Sequence, residues 1–147
     1  MKYIITENQK NKLNTKIYKY LEDEFSDIDF DDYRFEDHNG YGIPLDYYEE
    51  YSKSVQNIFI LSDEYEDTDA AILIQIPSEE YSDDKLPMVY IHSDQYDKLT
   101  TMFGELWKGP FIDWIEKNCP IMYEVGIMDQ IENNRIKSVD KMHWLEI

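Results

Sequence analysis

The sequence predicts an α+β fold, a mainly antiparallel sheet packed by helices, on three observations. Apolar runs rich in β-branched residues recur near 55–61, 69–76 and 88–92, each short and bounded by acidic or proline-containing turns, as strands are. The connections between them are short, which fits hairpins better than parallel crossovers. Segments near 7–25, 94–107 and 110–119 instead place apolar residues every three or four positions, the mark of amphipathic helices. A further strand is expected near 121–128. With 147 residues the chain is expected to form one domain, 1–147, large enough to bury a core without disulfide or metal.

In order, Lys2 to Ile5 reads as a short strand, and Thr6-Glu7-Asn8-Gln9 has the form of a capping box. The helix that follows is expected to run to about Phe25. Leu13, Ile17, Tyr20, Leu21 and Phe25 make its buried stripe, with Lys12, Lys16 and Lys19 on a neighbouring face. That lysine row reads as a solvated face, or as one that neutralises the acidic part of the same chain.

Acids at Asp27, Asp29 and Asp31 match the first ligand positions of a calcium loop. Asp32 then stands where the loop needs glycine and His38 where it needs a bidentate Glu, so no metal site is assigned. Alternation of acids with Ile28 and Phe30 indicates a loop or an edge strand with one wet face. Gly40 and Gly42 lack the third glycine of a dinucleotide fingerprint, and Asp46 to Tyr51 reads as a short helix or turn.

The run Asp69-Ala70-Ala71-Ile72-Leu73-Ile74-Gln75-Ile76 is expected to be a buried central strand between 55–61 and 88–92. His92, at the end of its strand, reads as a structural or surface histidine, since neither His38 nor His143 stands at a metal spacing from it. Ser93-Asp94 starts a helix whose stripe is Tyr96, Leu99, Phe103 and Leu106 and which ends near Trp107. Gly109-Pro110 breaks the chain, with Pro110 at the first position of the next helix. Phe111, Trp114 and Ile115 give that helix its apolar side. Cys119, the only cysteine, has no partner base in sequence and is expected to be a partly buried small side chain in a reducing compartment. Lys137 to Ile147 reads as a last strand or docked tail anchored by Trp144.

Charge is the outlying property. The net charge is -18, and it is uneven: residues 1–21 carry +4, residues 22–97 carry -20 and residues 98–147 carry -2. Such a field repels phosphate backbones and anionic membranes, so neither direct nucleic-acid binding nor membrane binding is expected. The acids arrive in clusters interleaved with tyrosine: Asp31-Asp32-Tyr33; Asp46 with Glu49 and Glu50; Asp63-Glu64-Tyr65-Glu66-Asp67; and Glu79-Glu80 with Asp83 and Asp84. Apolar strands and many tyrosines interrupt the block, which argues against a disordered acidic tract.

These clusters are the candidate partner-binding residues, because carboxylates attract a basic cleft and tyrosine adds rigid contact area. The excess in residues 22–97 is roughly the charge of ten base pairs, which makes the chain a candidate DNA mimic. The competing reading is that the acids serve solubility alone. No catalytic residue and no cofactor is assigned: chance brings some acids close together, and nothing in the sequence selects a pair.

Met1-Lys2-Tyr3-Ile4-Ile5-Thr6-Glu7-Asn8-Gln9, with Met102-Phe103-Gly104-Glu105-Leu106-Trp107 and Phe111-Ile112-Asp113-Trp114, resembles segments of small phage-type proteins. The resemblance implies a viral accessory protein and carries no catalytic motif. The expected function is therefore a non-enzymatic acidic binding module that engages a basic partner, as an inhibitor or accessory protein. A phage virion subunit and an immunity protein against a basic toxin are the alternatives. The opening residues fall short of a signal-peptide core or membrane span, so a cytoplasmic location, in the host cell if viral, is expected.

Overall fold

The computed structural model of the chain describes residues 6–26, 28–37, 41–43, 55–62, 71–76, 87–119 and 131–140. In chain order these form α1 (Glu7–Glu24), β1 (Ile28–Asp37), β2 (Gly42–Ile43), β3 (Val55–Ser62), β4 (Ile72–Gln75) and β5 (Met88–His92). They continue with α2 (Ser93–Phe103), a 3-10 turn (Gly104–Trp107), α3 (Lys108–Asn118), a second 3-10 turn (Asn133–Arg135) and β6 (Ile136–Val139). The strands make one sheet in the order β2-β1-β3-β4-β5-β6. The fold is α+β, as the sequence predicts.

β3, β4 and β5 form the expected antiparallel meander, with Ile58 opposite Ile74 and Ile72 opposite Ile91. β4 has a hydrogen-bonded neighbour on each side, so its apolar run is central. β6 departs from the antiparallel rule by pairing parallel to β5, Val89 opposite Ile136. A parallel pair needs a long crossover, and the helical stretch between the two strands supplies it. The strand expected near 121–128, the one at Lys2 to Ile5, the element at Asp46 to Tyr51 and the Trp144 anchor lie outside the described residues.

One sheet face carries Phe35, Ile58, Ile60, Ile72, Ile74, Val89, Ile91 and Ile136, all of them buried. They join Ile17 and Leu21 of α1, Leu99 of α2, and Phe111, Trp114 and Ile115 of α3 in a single core. Each such large side chain contributes roughly 1.5–3 kcal/mol by leaving water. α1 starts on the predicted capping box: the Gln9 amide donates to Thr6 Oγ1 at 3.2 Å, and the Thr6 amide to Gln9 Oε1 at 3.0 Å.

β1 corrects the looser expectation for residues 28–37. It is a ten-residue strand with a register irregularity between Ile28 and Tyr33. Ile28 and Phe30 occupy even positions, Tyr33 and Phe35 odd ones, so a regular strand would send them to opposite faces. The irregularity absorbs the change of phase, and all four pack against the same core. Phe30 reaches the helical layer, its ring 5.2 Å from that of Trp114 in a T-shaped contact.

The stripe expected from Tyr96 to Leu106 also needs correction. α2 stops at Phe103, and Gly104 takes φ 62°, ψ -149°, a backbone region essentially reserved for glycine. The turn shifts the helical phase by a residue. Trp107 enters the core with 0% exposure, while Leu106 faces out at 51%. Because α3 already begins at Lys108, Pro110 lies two residues into the helix instead of opening it; there it still costs no hydrogen bond, since first-turn amides have no intrahelical acceptor.

Candidate partner-binding surface

Two of the sequence-predicted binding residues lie in described structure. Asp31 and Asp32 are on β1, in its irregular stretch. Asp46, Glu49, Glu50, Asp63, Glu64, Tyr65, Glu66, Asp67, Glu79, Glu80, Asp83 and Asp84 lie outside the described residues.

The described acids add a distribution of their own. Glu22 and Asp23 at the end of α1, Asp97 on α2, and Glu132 and Asp140 beside β6 are exposed, and none makes an ion pair among the described residues. Other carboxylates are held. The Tyr18 hydroxyl donates to Asp113 Oδ2 at 3.3 Å, between α1 and α3. Burial, then the Asp113 and Glu116 charges, raise the Tyr18 pKa. Gln95, the one buried polar side chain among the described residues, donates to Glu24 Oε2 at 3.2 Å and faces the Tyr20 hydroxyl at 3.5 Å. Burial and the Glu24 carboxylate raise the Tyr20 pKa. These bonds clamp the helices together, so their acids are structural.

α1 carries the opposite charge. Lys12, Lys16 and Lys19 are exposed, as their spacing predicts, and make no ion pair among the described residues. Direct pairing with the chain's own described acids is therefore not what the row does. Lys12 and Lys16 are like charges four residues apart near the middle of α1, where their mutual repulsion is unfavourable.

The outer sheet face pairs polar with apolar. Asn57 Nδ2 donates to Glu36 Oε1 at 2.6 Å across β3 and β1, while Asn57 Oδ1 is buried with no hydrogen-bond partner among the described residues. Further along, Phe59 is buried against Leu73, Tyr90 and Val139.

His92 is a cap. Its Nδ1 accepts the Asp94 amide at 3.2 Å, which places the N-cap of α2 one residue before Ser93. Among the described residues no three His, Cys, Asp or Glu side chains converge as a metal site would require, and no helix is long and apolar enough to cross a membrane. Cys119 is buried.

No family model, curated protein or solved structure matches the chain. The surface has to be read from its own chemistry.

One part of it escapes helical spacing altogether. The exposed large hydrophobics among the described residues are Tyr41, Met102 and Leu106, at 71%, 55% and 51%. Met102 and Leu106 flank Gly104 at the corner between α2 and α3. The signal was present as a glycine inside an otherwise continuous apolar stripe, a position that ends helices.

The corner beneath them is firmly built. Trp107 packs edge-on against Tyr96 and Phe111 at centroid distances of 5.3 and 5.6 Å. Lys108 is ion-paired with Glu105, and its ammonium lies 5.3 Å from the centre of the Tyr96 ring. Burial pulls the Lys108 pKa down, but hydrogen bonds to Glu105 and Tyr96, together with the charges of both groups, leave it raised.

Proposed function

We propose that the chain is a non-enzymatic acidic binding module, an accessory or inhibitor protein whose Asp/Glu/Tyr clusters engage a basic partner. The observation that carries this reading is the concentration of charge, -20 within residues 22–97. Exposed acids with no ion pair among the described residues support it, because a carboxylate satisfied within the fold has little to offer a partner. A field of this sign speeds encounter with a basic protein and rejects nucleic acid itself. A nucleic-acid-binding protein is the partner class whose groove matches such a charge density, with the clusters standing where phosphates would lie.

The test is capture of the partner by the charge-reversed variant Asp63→Lys/Glu64→Lys/Glu66→Lys/Asp67→Lys beside the wild type. Loss of capture with the thermal transition retained supports the reading. Capture of the same protein by both chains would remove that cluster from the interface.

A further inference from the structure

We propose that His92 is a pH-operated cap, which holds the start of α2 as a neutral ring and releases it when the ring is protonated. Histidine is the side chain whose charge ordinarily changes between about pH 5 and 8.

The geometry of the cap requires the neutral form. His92 Nδ1 accepts the Asp94 amide at 3.2 Å, and a ring nitrogen accepts only while it carries no proton. The capping ring is therefore the tautomer with its hydrogen on Nε2. The usual cap residues, Ser, Thr, Asp and Asn, keep an acceptor oxygen across this pH range; histidine loses its acceptor. Protonation turns an N–H toward the Asp94 N–H and sets a positive charge at the helix end that disfavours cations. A replacement partner is in place, since Asp94 Oδ2 lies 3.7 Å from the same Nδ1. In the acid form the ring donates to that carboxylate and the Asp94 amide turns to water.

The neighbouring elements leave Asp94 as the group that takes up the charged ring. β6 sets Val139 opposite His92, with exposed Lys137 on the same strand face and exposed Asp140 next in the chain. α2 adds exposed Asp97 and Lys98 a turn further on, and the described residues of β4 carry no charge. The release is local. Leu99 is fully buried in the core and holds the body of α2, so acid frays the first turn, from which Gln95 reaches Glu24 of α1.

The test is NMR on the full-length chain at about pH 8 and about pH 5, beside His92→Asn, whose side-chain oxygen accepts at both. At the higher pH a scalar coupling across the N–H···N bond is expected between the Asp94 amide nitrogen and His92 Nδ1, and at the lower pH it is expected to vanish. Exchange protection of the Asp94 amide, corrected for the intrinsic pH dependence of exchange, should fall about fivefold in the wild type, the worth of one cap. It should stay level in His92→Asn.

Three results would overturn the proposal. Absence of the coupling at the higher pH means that His92 does not cap α2 in solution. Persistence of the coupling at the lower pH means that the cap is indifferent to acid. An equal fall in protection in His92→Asn hands the change to another titrating group, such as Asp97 or Asp140.

Discussion

The Trp107 indole N–H donates to the Thr100 hydroxyl at 3.2 Å, tying the 3-10 turn back onto the last turns of α2. The bond helps fix which residue after Gly104 enters the core. With Trp107 held inward, Leu106 is left on the surface, and one helical repeat yields both a core aromatic and an exposed leucine.

Gly104 should therefore be hard to replace. No atom lies within 4 Å of a Cβ built there, so the cost of Gly104→Ala is backbone strain alone, about 1–3 kcal/mol. Chemical denaturation should show this loss, and near-ultraviolet circular dichroism should show a disturbed Trp107 environment. A neutral result would mean that the corner readily adopts another backbone.

His92 should act as a cap whose loss a better cap repairs. Removing an N-cap acceptor costs about 1 kcal/mol. His92→Ala is expected to lower stability by that amount and His92→Asn to restore most of it, since the asparagine oxygen can accept the Asp94 amide. Equal losses in both variants would move the importance of His92 from the cap to its other contacts.

Alkaline pH should weaken the helical layer. The Tyr18 and Tyr20 pKa values are raised above 10.0 in the fold, so above pH 10.0 the unfolded chain releases these protons first. Their stabilising contribution is complete below that pH and is lost as pH rises through the folded values. Lys108, raised above 10.5, acts in the same direction, because the fold favours its charged form. Thermal melts at increasing pH should fall in this range, and Tyr18→Phe/Tyr20→Phe should flatten the fall.

The lysine row of α1 should be locally unfavourable. Lys12→Glu replaces a like-charge pair with a Glu-to-Lys pair four residues apart. The variant is expected to be more stable by about 0.4–1 kcal/mol, the repulsion removed together with the attraction gained. If it also keeps full partner capture, the row is a solvated face and nothing more; reduced capture in a stabilised variant would make it part of an interface.

The sequence made the interior of the fold legible where one period ran unbroken. Ile58, Ile72, Ile74 and Ile91 stand in strands whose alternation is regular, and Ile17 and Leu21 keep helical spacing from a clear capping box. It misled where the period slips. Acids between Phe30 and Tyr33 hid a strand irregularity that brings both aromatics to one face. Gly104 hid a turn that exchanges Leu106 for Trp107. The parallel pairing of β6 was illegible for another reason: Ile136 to Val139 would suit either direction, and what fixes the direction is the path of the preceding helices. The acidic clusters were plain as composition, but whether Asp31 and Asp63 belong to one surface depends on tertiary placement that no local pattern encodes.

The most direct test of the central claim is affinity capture from the lysate of the organism that produces the protein, at low and at high salt, with retained proteins identified by mass spectrometry. The charge reading predicts one basic, nucleic-acid-binding protein, held at low salt and released as screening shortens the reach of the acids. Retention of nothing but further copies of the chain, with no dependence on salt, would contradict it and assign the charge to assembly or solubility.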